Sequence, residues 1–176
     1  MDAGLHHLQG KAKRVKANEL LELLREFHRD KLAQYRRHVA AARQVGDYDF
    51  NNTYQYIIAR EDMQVAWVAD AITGMGGQLD DVPEPRVTVS GTGEAAQRAV
   101  MAQDRDGAAA FLEKWRPRVE HMTHARHKSL LRVILGETLE HQRFFEQALA
   151  GRSDLLGRRA DGAGTPGIVL PTRWVD

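Results

Sequence analysis

Apolar residues recur at helical spacing in four stretches of the chain. The stretches are 18–46, 51–75, 94–115 and roughly 124–150. Spacings of three and four residues put the apolar side chains on one face of a helix. Gly46 and Asp47 form a short turn between the first two stretches, and Pro117 predicts a break or kink after the third. The pattern therefore predicts four amphipathic helices.

The connection between the second and third stretches has a different character. Residues 77–93 contain Pro83, Pro85 and several glycines, with a short β-like run at 86–89. A connection of this length can return the chain along a whole bundle, as in bundles with one crossover. The sequence thus predicts an all-α, antiparallel four-helix bundle with a long crossover between helices 2 and 3. We expect three regions: a flexible N-terminal segment at 1–17, the bundle at 18–150 and an extended C-terminal tail at 151–176.

Composition limits the chemistry and the partners. The 176 residues carry a formal net charge of +1, which argues against nucleic acid or an acidic membrane surface as the main partner. No stretch is apolar for long enough to cross a bilayer, and the first residues lack the apolar core of a signal peptide, so we expect a cytoplasmic protein. The chain has no cysteine, which leaves histidine and carboxylate side chains as candidate metal ligands.

Polar residues interrupt the apolar face of each predicted helix near its middle. They are His28 and Tyr35 on the first, Glu61 and Gln64 on the second, Gln103 and Asp106 on the third, and Glu137, Thr138 and His141 on the fourth. Residues equally far from the turn of an antiparallel helix pair lie at the same height, so we expect these residues to form one layer. A buried polar group without a partner costs ~1–3 kcal/mol. The layer therefore needs hydrogen bonds or a bound ion, and it is the candidate site.

Two of these stretches carry a recognisable pattern. The segment from Ile134 to Glu146 resembles the last helix of bacterioferritin- and rubrerythrin-like proteins, where a Glu-x-x-His pair supplies ligands to a di-iron centre. The segment Glu61-Asp62-Met63-Gln64 resembles the corresponding motif of the second helix. His28 precedes Tyr35 at the spacing at which that family has Glu and Tyr. The resemblance covers about 18–150 and implies a ferritin-like bundle with iron at its centre.

The ligand set departs from the family pattern. Glu61, His141 and Tyr35 match it. His28, Gln64 and Thr138 replace family ligands on the first, second and fourth helices, and Gln103 or Asp106 stands at the position of the third-helix Glu. A di-iron centre needs about four carboxylates, so His28, Glu61 and His141 suit a single divalent ion better. Iron is implied by the resemblance, and zinc and manganese remain open. The candidate metal ligands are His28, Glu61, Gln64, Asp106, Glu137 and His141.

Two hypotheses about function follow. In the first, the chain is a ferritin-like metalloprotein with oxidase, hydroxylase or metal-handling activity in the bundle centre. In the second, the layer is held by hydrogen bonds without any cofactor, and the bundle serves dimerisation or partner binding without catalysis. Whether the chain is an enzyme stays open at this point. A homodimer is the expected oligomeric state, and the apolar end of the tail at 168–175 is expected to pack against the bundle, the crossover strand or a neighbouring subunit.

Overall fold

The computed structural model describes residues 3–88 and 92–157, with side chains from residue 16 onward. Four helices account for most of these residues, and the described ranges contain no strand. The helices are α1 Ala3–Ala42, α2 Tyr48–Gly74, α3 Gly93–Glu120 and α4 Ala125–Leu149. The predicted all-α bundle is confirmed. Most of the predicted tail, including 168–175, lies outside the described residues. No helix within 3–88 and 92–157 combines the length and hydropathy that a membrane span requires.

The helices form two antiparallel hairpins. α1 packs mainly against α2, and α3 packs mainly against α4. The turn into α2 is capped by Asp47, whose carboxylate accepts hydrogen bonds from two backbone N–H groups at 3.0 Å. Between the hairpins, Glu26 pairs with Arg118 at 2.6 Å and Arg37 pairs with Asp104 at 2.6 Å. Residue numbers rise along α1 as they fall along α3, so these two helices are antiparallel.

It follows that α2 and α3 run in the same direction, which requires a connection along the bundle. The described part of the connection is consistent with such a path. Near its start, Asp80 pairs with Arg25 and lies 2.6 Å from Arg29 of α1. Further along, Val87 packs on the apolar cluster that surrounds Tyr54, at the other end of the bundle.

The apolar core is divided into two clusters. One is built around Phe27 and Trp115, whose rings meet edge to face with their centroids 4.8 Å apart. The other is built around Tyr54 and Phe145, whose rings are tilted with respect to each other with their centroids 5.4 Å apart. Buried polar side chains fill the space between them. They include Lys31, His38, Glu61, Gln64, Thr138 and His141. The predicted polar layer thus exists, although part of its membership differs from the prediction.

Two predicted helix boundaries were wrong. α1 begins at Ala3 rather than near Asn18, so residues 3–17 are helical. These residues are mostly strong helix formers without proline, and helix propensity extends the helix upstream. α3 continues through Pro117 to Glu120. The proline is exposed, while the buried side chain of Val119 anchors the last turn in the core.

Candidate functional site

A fully buried lysine lies at the centre of the polar layer. The Nζ atom of Lys31 donates to Glu61 Oε1 at 2.8 Å, to Gln34 Oε1 at 3.0 Å and to Thr138 Oγ1 at 3.3 Å. An ammonium has three donors, so all of them are used. The hydroxyl of Thr138 donates in turn to the backbone carbonyl of Ile134 at 2.9 Å. Lysine is almost never fully buried unless it is paired in this way.

The partner of this ammonium is a fully buried carboxylate. Besides Lys31, Glu61 bonds to His38, with 2.7 Å between Nδ1 and Oε2. Burial alone would raise the pKa of Glu61, but its electrostatic interactions with His38 and Lys31 outweigh burial and hold that pKa well below 4.5. Glu61 is therefore an ionised carboxylate between an ammonium and an imidazole.

His141 is the least satisfied member of the layer. It is fully buried, and neither of its ring nitrogens has a hydrogen-bond partner among the described residues. Its Nδ1 atom lies 3.7 Å from Glu61 Oε1, which is an ion-pair distance but too long for a hydrogen bond. Burial lowers the pKa of His141 below 6.5, although the nearby carboxylate opposes the shift. The imidazole is therefore expected to be neutral near pH 7.

Helical spacing explains how these residues come together. On α1, Phe27, Lys31, Gln34 and His38 lie three or four residues apart and so share one inward face. The ammonium of Lys31 lies over the ring of Phe111, 5.4 Å from its centroid. Contact with an aromatic face adds to the stabilisation of a desolvated cation.

The third helix contributes a second polar cluster. Asp104 is buried and accepts hydrogen bonds from Tyr54 Oη at 2.5 Å and from Arg37 Nε at 2.6 Å. Burial, helped by Asp104, raises the pKa of Tyr54 well above 10. The sequence prediction placed Gln103 and Asp106 on this inward face, and that was wrong. Both are exposed, and Asp106 forms its ion pair with the neighbouring Arg105 at 2.8 Å.

The other predicted ligands are buried or partly buried but have separate neighbours. Gln64 and Arg60 both bind the carboxylate of Glu137, at the edge of the layer. His28 is buried, and burial lowers its pKa below 6.5 against the opposing charge of Asp80. Of the six predicted ligands, the structure brings Glu61 and His141 together and places Asp106 on the surface.

A metal ion does not fit this arrangement of residues. No three His, Cys, Asp or Glu side chains in the described part of the chain are arranged to hold one. More directly, the ammonium of Lys31 lies beside Glu61 Oε1, where a cation would bind, and uses the oxygens of Gln34 and Thr138 as well. A metal ion at this carboxylate would be repelled by the ammonium of Lys31, which is buried away from solvent.

Sequence reasoning missed Lys31, Gln34 and His38. Their spacing relative to Phe27 was sufficient to place them on the inward face of α1. Lysine and glutamine are usually solvent-exposed, however, and composition alone gave no reason to expect an internal ion pair. The partner, Glu61, was correctly placed, and a buried glutamate requires a cation or donors nearby.

Comparison with protein-family models, with curated proteins and with solved structures found no match to this chain.

Proposed function

We propose that this protein is a ferritin-like four-helix bundle in which an internal ion pair takes the place of a metal ion, and that it acts through assembly rather than catalysis. The observation that carries the proposal is the position of Lys31, fully buried with Nζ 2.8 Å from Glu61 Oε1. An ammonium supplies the positive charge that a buried carboxylate needs. It also satisfies the two neighbouring side-chain oxygens, of Gln34 and Thr138.

Electrostatics supports this interpretation. Two unit charges of like sign 4 Å apart repel by roughly 4 kcal/mol at an effective dielectric constant of 20, and a divalent ion would double that figure. Glu61, Lys31, Thr138 and His141 all have 0% exposure. A substrate therefore has no direct contact with the groups that would have to react. Both considerations favour a structural role for the layer.

A second candidate function rests on His141. Its unpaired ring nitrogens, together with those of His38 and the carboxylate of Glu61, are ligand types that suit one zinc, iron or manganese ion, although in the described part of the chain the three side chains are not arranged as a metal site. This is the single-ion hypothesis with His38 in the place expected for His28. It requires the ammonium of Lys31, which is fully buried 2.8 Å from Glu61 Oε1, to leave that carboxylate.

Metal content separates the two candidates. Protein purified without chelator, and then exposed separately to Fe(II), Zn(II) and Mn(II), should contain close to no bound metal by inductively coupled plasma mass spectrometry. Its melting temperature should not respond to any of the three ions. A bound ion at a hundred times its Kd would add ~2.7 kcal/mol of stability, which a thermal melt detects easily.

The matched variant is His141→Ala. Under the ion-pair proposal it loses stability through a cavity but leaves the metal content unchanged at the background level. One equivalent of metal in the wild type that disappears in His141→Ala would replace the proposal with the single-ion metal site.

A further inference from the structure

The outer face formed by α2 and α4 carries an apolar groove. The groove has a volume of about 650 Å³, and its walls include Trp67 of α2 and Leu130 and Val133 of α4. Val133 is 52% exposed, and Met63 is 46% exposed on the adjoining part of α2. Side chains of this type are usually covered when they are contiguous, so the face is suited to an interface.

The charges on α4 are arranged symmetrically about Val133. Arg126 and Glu140 lie seven residues before and after it, which corresponds to about 10 Å in each direction along the helix. Both are exposed, and the ion pairs found in the described part of the chain include neither of them. Glu140 has a 3.5 Å contact with the hydroxyl of Tyr56, and its charge contributes to raising the pKa of Arg60. If a second α4 packed antiparallel across Val133, each Arg126 would face the Glu140 of the other copy.

The charges on α2 follow the same symmetry about Val65. Arg60 and Asp70 lie five residues to either side of it, and Met63 and Trp67 lie two residues to either side. An antiparallel second α2 would therefore bring Arg60, which also pairs with Glu137 of its own chain, opposite Asp70 of the other copy, with apolar side chains at the centre of the contact. Asp70 and the groove-lining Arg126 supply the polar rim.

Both centres of symmetry lie at the same height on the bundle. Glu137 of α4 binds Arg60 of α2, and Glu140 of α4 contacts Tyr56 of α2. Because α2 and α4 are antiparallel, residue numbers rise along one helix as they fall along the other. The register set by these two contacts therefore places Val65 and Val133 at the same height. A single two-fold axis across the face thus satisfies the pairings on both helices at once, as a closed symmetric dimer requires.

We infer that the α2–α4 face is a homodimer interface, in which a second copy packs antiparallel so that Arg126 of each protomer pairs with Glu140 of the other. The inference deepens the proposed function, because it names the partner of the assembly as a second copy of this chain. Gly136 supports the packing. It lies opposite Leu130 of the other copy in this arrangement, and an added Cβ there meets nothing within 4 Å in the single chain.

Charge reversal tests the inference on the full-length chain. Light scattering and sedimentation velocity should give about twice the chain mass of 19.8 kDa. Arg126→Glu or Glu140→Arg alone places like charges at two symmetric positions and should weaken the dimer by at least about tenfold in Kd. The double variant R126E/E140R should restore it. Glu146→Arg, a reversal on another face of α4, is the matched control and should leave the mass unchanged.

Several outcomes would overturn the inference: a monomer at every concentration, a dimer indifferent to the single reversals, or a double variant that stays monomeric. A dimer that survives both reversals but dissociates when residues 158–176 are deleted would assign assembly to the tail. Circular dichroism of each variant reports folding, and rescue by the double variant excludes simple misfolding. Metal content is measured on the same samples. Bound metal in an intact dimer would contradict the ion-pair proposal alone, whereas a metal-free monomer would contradict the interface.

Discussion

Replacing Lys31 with methionine tests the central ion pair most directly. Methionine keeps most of the side-chain volume and removes the charge, so Lys31→Met leaves Glu61 buried without its ammonium. The three hydrogen bonds that Nζ donates to Glu61, Gln34 and Thr138 are lost together. The cavity contribution should be small because the two side chains are similar in length.

The expected loss follows from the burial of both groups. Removing one partner of a buried ion pair costs ~3–5 kcal/mol. His38 remains hydrogen-bonded to Glu61 at 2.7 Å, which favours the lower end, about 3 kcal/mol. For a chain of this size that corresponds to a fall in Tm of roughly 6–12 °C. The double variant K31M/E61Q removes both charges and should recover most of the loss, as replacing a whole buried pair often does.

Urea unfolding followed by circular dichroism at 222 nm measures all four members of this cycle. We expect a coupling free energy of about 2 kcal/mol or more between Lys31 and Glu61. Lys16→Met, a change at an exposed lysine of the same helix, is the matched control and should stay within about 0.5 kcal/mol of the wild type. A loss below about 1 kcal/mol for Lys31→Met, or additive effects in the double variant, would show that the pair does not stabilise the layer.

Two further predictions concern other parts of the bundle. Hydrogen bonds from Arg118 lower the pKa of Glu26 to about 2. Ionised Glu26 therefore stabilises the fold at pH values above its ordinary pKa near 4.5, and this contribution is lost as the pH falls towards 2. In urea unfolding, Glu26→Gln should therefore lower the stability by about 1 kcal/mol at pH 7 and by close to nothing near pH 2. Glu22→Gln, at a more exposed glutamate of the same helix, is the control. An equal loss of stability at both pH values would contradict the role of the Glu26–Arg118 pair. An added Cβ at Gly77 would lie 2.5 Å from Leu21 Cδ1, 2.9 Å from Ile72 Cγ2 and 3.1 Å from the backbone carbonyl oxygen of Ile72, so Gly77→Ala should destabilise by ~1–3 kcal/mol. Gly107→Ala, at an open position in α3, should be neutral or stabilising by up to ~1 kcal/mol, and similar melting temperatures for the two variants would refute the packing argument.

The helices and half of the polar layer were predictable from the sequence because periodicity dominates both. Glu61, Gln64, Thr138 and His141 interrupt well-defined apolar faces, and all four are buried as predicted. The alanine-rich third helix has a weaker pattern, since alanine occurs on either face. That ambiguity led to Asp106 instead of Asp104, two residues away and on a different face.

The central cation was not predictable in the same way. Lysine side chains are normally exposed to solvent, so the residue type at position 31 predicts exposure. Burial is favourable here only because Glu61, Gln34 and Thr138, which belong to three different helices, surround the ammonium. Such compensation is a property of the assembled bundle. The start of α1 was missed for a related reason: Asn18 is a good capping residue, but the helix-forming residues before it remove the need for a cap.

The division into two hairpins has a consequence for the order of folding. Lys31, Glu61 and His38 all belong to the first hairpin, whereas Thr138 and His141 belong to the second. The charged pair can therefore form while one side of it is still hydrated, and docking of the second hairpin then expels the remaining water. Interactions within a hairpin require the closure of only a short loop, so their entropic cost is small and they form early. Contacts between the hairpins require closure of the longer connection and form later. Removing the ammonium should thus slow the folding rate, whereas truncating Thr138 or His141 should mainly speed unfolding.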